Sequence, residues 1–280
     1  MTAEPRPDSA PIANPFDSAL ALRNSHSYRA KDGRAVSLSD PGGAPDLFAS
    51  AAVGAFRGFV LDPGFSCVGA KSAVMREGYR LGVYDTLAGE GATAGLCRDL
   101  YDFCREVEGV PPGDFRTFVA LFRGPTDLGE PEFERRLWEQ LRKLNAVDAP
   151  LHGWDPAVSP DPADPHFAFS FAETAFFIVG LHPRSSRLAR RFPWPALAFN
   201  PHAQFQHLKE AGRWERLKEV IRAREQTLQG SLNPNLADHG DATEARQYSG
   251  RPVEPGWEPP FQPVQAVGRC PFGLGAGVAR

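Results

Sequence analysis

The sequence lacks most of the patterns that would identify its chemistry directly. No GxGxxG follows a strand pattern, no GxxxxGK[ST] occurs, and HExxH and GxSxG are missing. Dinucleotide binding, P-loop hydrolysis, zincin proteolysis and hydrolase-fold esterolysis therefore lose their usual support. No apolar run approaches the ~18–20 residues of a membrane span. The first 17 residues carry no apolar signal-peptide segment, so a soluble cytoplasmic protein is expected. Neither sign of charge dominates, the net value being −3, and neither nucleic acid nor a membrane surface is expected as a partner. Cysteine is scarce: four residues, 67, 97, 104 and 270, with no CxxC pair. In a reducing compartment these are not expected to form disulfides, and Cys97 and Cys104, seven apart, would share a buried helix face. Methionine is rarer still, with two residues.

What the chain does have is phenylalanine, 20 residues, and 27 each of glycine and proline, so an aromatic interior broken into many short elements is expected. Residues 1–44 read as weakly ordered, 45–262 as one folded domain and 263–280 as a tail. Leu47, Ala51, Ala55 and Phe59 recur every four residues and predict a helix that Asp46 caps. Residues 62–70 read as a Gly-rich turn, 79–84 as a strand, 93–107 as a helix, 116–122 as a strand and 132–147 as an amphipathic helix. Trp154 to Pro165 is a proline-studded loop. The segments 167–171 and 175–181 predict an antiparallel hairpin, and the second, apolar at nearly every residue, should lie centrally with both faces covered. Short basic and strand segments lead to helices from His202 and Arg213. The aperiodic stretch beyond Gly230 reads as an ordered strap. The expected fold is α+β: a single domain with helices packed around a mainly antiparallel central sheet.

Candidate chemical residues sit at element ends. His182 follows the apolar strand, and Pro183 confines it to extended backbone. A neutral imidazole there suits a metal or a cofactor iron, though a core histidine is equally compatible. His202 opens a helix and could ligate, donate a proton or simply begin the helix. Arg184, Arg187 and Arg191 are spaced for one helical face, which would suit two propionates or a phosphate or just solvent. Arg246 and Arg251 flank a turn in which Tyr248 could offer its hydroxyl. Cys67 could lie near a pocket, with Lys71 one turn on. Cys270, before a proline, is compatible with a haem thiolate. Asp155, Asp161, Asp164 and Glu173 are the carboxylates that would suit a planar cation.

FSCVGAKSA, WDPAVSPDP, FAFSFAETAFFIVGLHPRSSRLARRF, LAFNPHAQF, LQGSLNPNLADHGDATEARQYSGR and WEPPF follow one another with consistent spacing. Together they resemble the YqcI/YcgG family over residues 46–261. That resemblance implies haem b, O2 or peroxide, an external electron donor and a small guanidino substrate that becomes N-hydroxylated. It implies His182 of the GLHP motif as the proximal iron ligand. Asn200, His202 and Gln204 then line the pocket, and Arg246, Tyr248 and Arg251 belong to the same site. Relatives often carry proline where this chain has Ser66 and cysteine within the stretch that reads Glu258-Pro259-Pro260-Phe261 here, which favours histidine over a thiolate. The competing expectations are a haem sensor or carrier without turnover, a non-haem iron oxygenase using His182, His202 and a carboxylate, and an apo binding protein whose histidines are structural.

Overall fold

The computed structural model describes residues 13–44, 46–111, 113–235 and 242–264. Cys270 and most of the tail lie outside these. Seven strands form one sheet: β1 (Ser27–Lys31), β2 (Arg34–Ser37), β3 (Tyr79–Thr86), β4 (Thr117–Gly124), β5 (Phe169–Phe171), β6 (Thr174–Leu181) and β7 (Ala196–Pro201). Their order is β2-β1-β3-β4-β7-β6-β5. The β3–β4 pair is parallel and every other pair antiparallel. Parallel neighbours need a long crossover, which α4 (Glu90–Val107) supplies. The α+β reading with a mainly antiparallel sheet therefore holds.

Residues expected to be weakly ordered instead form α1 (Ala19–Asn24) and the β1–β2 hairpin. Asp32 and Gly33 make its turn at φ 51° and 73°, the positive-φ pair that a tight two-residue hairpin needs. The 167–181 hairpin forms as expected, with Ala172 and Glu173 at φ 47° and 58°. Its second strand, β6, is not central; β4 is, and β6 lies one strand from the edge.

Alternation along the strands divides the interior into two cores. Phe118, Ala120 and Phe122 of β4, Phe176 and Ile178 of β6, and Leu197 and Phe199 of β7 face α4 and α5 (Glu130–Asp148). Val119, Leu121, Leu181, Ala196 and Ala198 face the other way, toward α2 (Leu47–Leu61) and α3 (Val68–Met75). Aromatic rings make up half of the first core, and each fully buried Phe contributes roughly 1.5–3 kcal/mol. Asp46 caps α2 as expected, accepting from the Phe48 N–H. The buried stripe of that helix is Ala49, Ala52, Val53, Phe56 and Val60, however, and Leu47 is 87% exposed. The expected Gly-rich turn gives way to α3, which begins at Val68 with Cys67 as its N-cap.

The strap is ordered from residue 242 to 264. Tyr248 stacks on Trp138 at 5.5 Å, and Phe261 closes the aromatic core. Arg251 donates through Nε and Nη2 to Oε2 of Glu134 at 2.9 and 2.8 Å, and the Ser249 hydroxyl donates to Oε1 at 3.0 Å. This buried group of contacts fastens the strap to α5.

Candidate functional site

A cavity of about 320 Å³ opens on the α2/α3 side of the sheet, within the ~300–1,000 Å³ of small-molecule sites. Its floor is Phe177, Val179 and Leu181 of β6 with Ala198 of β7. These are the alternate positions to those filling the aromatic core, so strand parity alone puts them there. Phe56 and Phe59 of α2 form one wall and Cys67 and Gly69 another. The helical pair α6 (His202–Glu210) and α7 (Trp214–Gln229) lies across the top, turning Phe205, Trp214, Leu217 and Ile221 inward. The strap contributes Glu244 and Gln247.

The charged groups on these walls are mostly cationic. Arg187 pairs with Glu225 of α7 at 2.6 Å, tying the top helix to the segment after β6. Arg190 is also on the wall, and its donors all go to carbonyls: Gly180, Gln247 and Tyr248. Burial pulls its pKa down to about 10, against the favourable charge of Glu225, so it stays charged at neutral pH without a carboxylate in contact. The Nε atoms of Arg116 and Arg187 are buried and have no hydrogen-bond partner in the protein. A buried cationic donor left unpaired costs free energy, and two such donors line one cavity.

At the far wall Glu244 accepts from the Tyr248 hydroxyl at 2.7 Å and faces His202 Nε2 at 3.6 Å. Burial raises its pKa, while His202 and Tyr248 oppose the shift. The Cys67 sulfur accepts from the Ala70 N–H at 3.5 Å at the start of α3. Burial raises its thiol pKa, with the Ala70 and Gly69 amides and Arg190 opposing.

The residues singled out from sequence divide sharply. His202, Asn200, Gln204 and Arg187 line the cavity. Asn200 donates to the Phe177 carbonyl at 3.1 Å, and Gln204 accepts from the Arg116 N–H at 3.0 Å. Tyr248 is fully buried behind the wall and reaches the cavity only through Glu244. His182 has the parity of Phe176 and Ile178, so it lies on the opposite face of the sheet. It is 1% exposed, stacked on Phe133 of α5 at 4.3 Å, with Nδ1 unpaired. Burial pushes its pKa down to about 4, against the charge of Glu130. It is a core histidine in this structure and does not reach the cavity.

The arginine face after His182 does not form either, because only one 3-10 turn, Leu188–Arg190, occurs there. Arg184 donates to the Asp127 carbonyl, Arg191 to Ser185, Arg246 to Glu254, and Arg251 to Glu134. Lys71 donates to Asp62 and Pro63 at the end of α2. None of these five lines the cavity. Asp155, Asp161 and Asp164 accept backbone N–H groups within their own loop and hairpin, and Glu173 sits in the β5–β6 turn. The wall carboxylates are Glu225 and Glu244 instead. His182 and His202 on opposite faces cannot form a facial triad, and no cluster of three His, Cys, Asp or Glu suited to a metal ion occurs among the described residues. Arg190, Glu225 and Glu244 were not singled out. Glu244 stood within a quoted motif, but nothing in a non-periodic segment says which way a side chain points.

A family model described as the YqcI/YcgG family matches residues 56–262. The chain belongs to the YqcI/YcgG family. Every wall of the cavity falls within that match. Among curated proteins it is similar to the one named "Uncharacterized protein YqcI" of Bacillus subtilis (strain 168), with 24% identity over 169 residues, 57% of this chain and 62% of the relative. The chain thus spans under two thirds of that relative's length. No solved structure matches. No helix among the described residues is long and apolar enough to cross a membrane.

Proposed function

We propose that this member of the YqcI/YcgG family holds haem b in the cavity and uses O2 or peroxide to hydroxylate a nitrogen of a small guanidino compound. The observation that carries the haem part is the cationic lining of an aromatic-walled cavity: the buried, unpaired Nε donors of Arg116 and Arg187, and Arg190, which bonds only carbonyls and has no carboxylate partner. A porphyrin needs apolar walls for its ring and cations for its propionates, and these residues meet both needs. Among the described residues Cys67, His166 and His202 line the walls with side chains that can donate to iron. Cys67 is the better fit. Its sulfur faces the first amides of α3, which partly offset the rise that burial gives its thiol pKa, whereas His202 faces Glu244.

Bound haem would supply oxygen activation, one oxygen atom entering an N–H bond and the other leaving as water with two electrons from an external donor, or none if peroxide is the oxidant. The chain's own residues do the rest. Arg190 and Arg187 bind the anionic edge of the ring. Phe177, Phe205 and Trp214 exclude water. His202 stands 3.6 Å from Glu244 on the same wall, and Tyr248 holds Glu244 in place.

The test is an absorption spectrum of haem-reconstituted wild type beside Cys67→Ser, His202→Ala and His182→Ala. The Cys67→Ser spectrum is expected to lose or shift its Soret band and that of His182→Ala to keep it. Protein that stays colourless with added hemin would end the proposal. Haem without substrate-dependent consumption of O2 or peroxide would leave a carrier or sensor.

A further inference from the structure

Among the described residues two carboxylates line the cavity, and they differ in how their charge is met. Glu225 is closed off by Arg187 at 2.6 Å. Glu244 has no cation within hydrogen-bond distance among the described residues, although the charge of Lys209 reaches it. One of its oxygens receives the Tyr248 hydroxyl at 2.7 Å; the other faces His202 at 3.6 Å, too far for a hydrogen bond. Tyr248 is fixed in turn, because its oxygen accepts from the Phe169 N–H at 3.1 Å, which turns its proton toward Glu244. Lys209 also lines the cavity but places its Nζ over the Trp214 ring at 5.7 Å. Glu244 therefore presents a rigid, desolvated oxygen to the cavity, its side chain 16% exposed. A buried carboxylate without a hydrogen-bonded cation is costly, and a ligand can supply that cation.

The surroundings narrow the ligand. Phe177 packs edge-on against both Phe205 and Tyr248 at 6.0 Å, so an aromatic cluster adjoins the tyrosine that holds the carboxylate. A planar, delocalised cation with several N–H donors satisfies both features at once: the carboxylate takes a fork of hydrogen bonds and the rings take the flat face. We infer that Glu244, positioned by Tyr248, is the residue that selects a guanidinium or amidinium group over its neutral analogue in this cavity. The inference rests on the proposed reading for the cavity being the substrate site, and it adds the residue that decides which substrates enter.

The experiment measures binding of N-methylguanidinium and of its neutral isostere N-methylurea to the full chain by calorimetry, with haem content quantified separately in each preparation. Wild type is expected to bind the cation at least tenfold more tightly. Glu244→Gln should bring the ratio close to one, and Glu244→Asp should restore part of it. Tyr248→Phe, which leaves the carboxylate but removes its clamp, should reduce the ratio about threefold without altering the haem content. Circular dichroism identifies variants that fold; should Glu244→Gln not fold, the Tyr248→Phe ratio decides. A wild type without preference for the cation overturns the inference, as does a folded Glu244→Gln that keeps it. Haem-free protein whose preference is lost in Glu244→Gln would sink the haem proposal and leave this inference standing. Haem-loaded protein with a preference indifferent to Glu244 would do the reverse.

Discussion

His182 offers the sharpest test of how strand parity assigns roles, because its place in the GLHP motif argues for iron and its place in the fold argues for packing. The perturbation is His182→Phe, which keeps an aromatic ring on Phe133 and removes the titrating nitrogen. In the folded chain burial holds the imidazole pKa at about 4, below the ~6.5 of an unfolded chain. The unfolded chain therefore binds the proton first. Stability from this group is fully present above pH ~6.5 and is lost as the pH falls toward 4. Between pH 7.5 and 5 the difference amounts to about 2 kcal/mol, from a shift of about 2.5 units at 1.36 kcal/mol each, little more than half of it expressed by pH 5. Urea denaturation of wild type and His182→Phe at the two pH values measures it. The variant should lose about 2 kcal/mol less than wild type on acidification while its haem spectrum stays the same. A folded His182→Phe that no longer takes up haem, or that shows the wild-type acid sensitivity, would refute the assignment of His182 to the core.

Two further outcomes follow from packing. Gly180→Ala would set a Cβ 2.8 Å from each of Leu137 Cδ1, Phe133 Cε1 and the Tyr248 carbonyl; this overpacking should cost roughly 1–3 kcal/mol in thermal or urea unfolding. Arg251→Met would leave Glu134 buried without its cation, a loss of roughly 3–5 kcal/mol, and should raise proteolytic cleavage within the strap while α4 and α5 stay protected in hydrogen exchange.

Elements with a clear period were legible in the sequence. Helices α4 and α5, strands β4 and β6 and the tight 172–174 link all stand close to where periodicity places them. The β1–β2 hairpin carried a readable signal, Asp32-Gly33 between alternating residues, that its charged neighbours obscured: Arg29 and Lys31 point to solvent. For α2 the four-residue recurrence of Leu47, Ala51, Ala55 and Phe59 selected the wrong face, since small alanines pack best where the helix approaches the sheet. The site was harder to read. β6 is apolar on both faces, so its sequence cannot say whether His182 follows the cavity side or the core side; only the register with β7 decides. Arg190 and Glu244 become visible only when a 3-10 turn and a folded-back strap bring them to one wall.

The strap joins regions that the sheet otherwise separates. Within a few residues it delivers Glu244 to the ligand side, Tyr248 and Phe261 to the opposite aromatic interior, and Arg251 to the outer helix. A chain ended before residue 242 would lose a wall of the pocket and a plug of the far core together. The pocket wall and the closure of the far core therefore depend on the same C-terminal stretch.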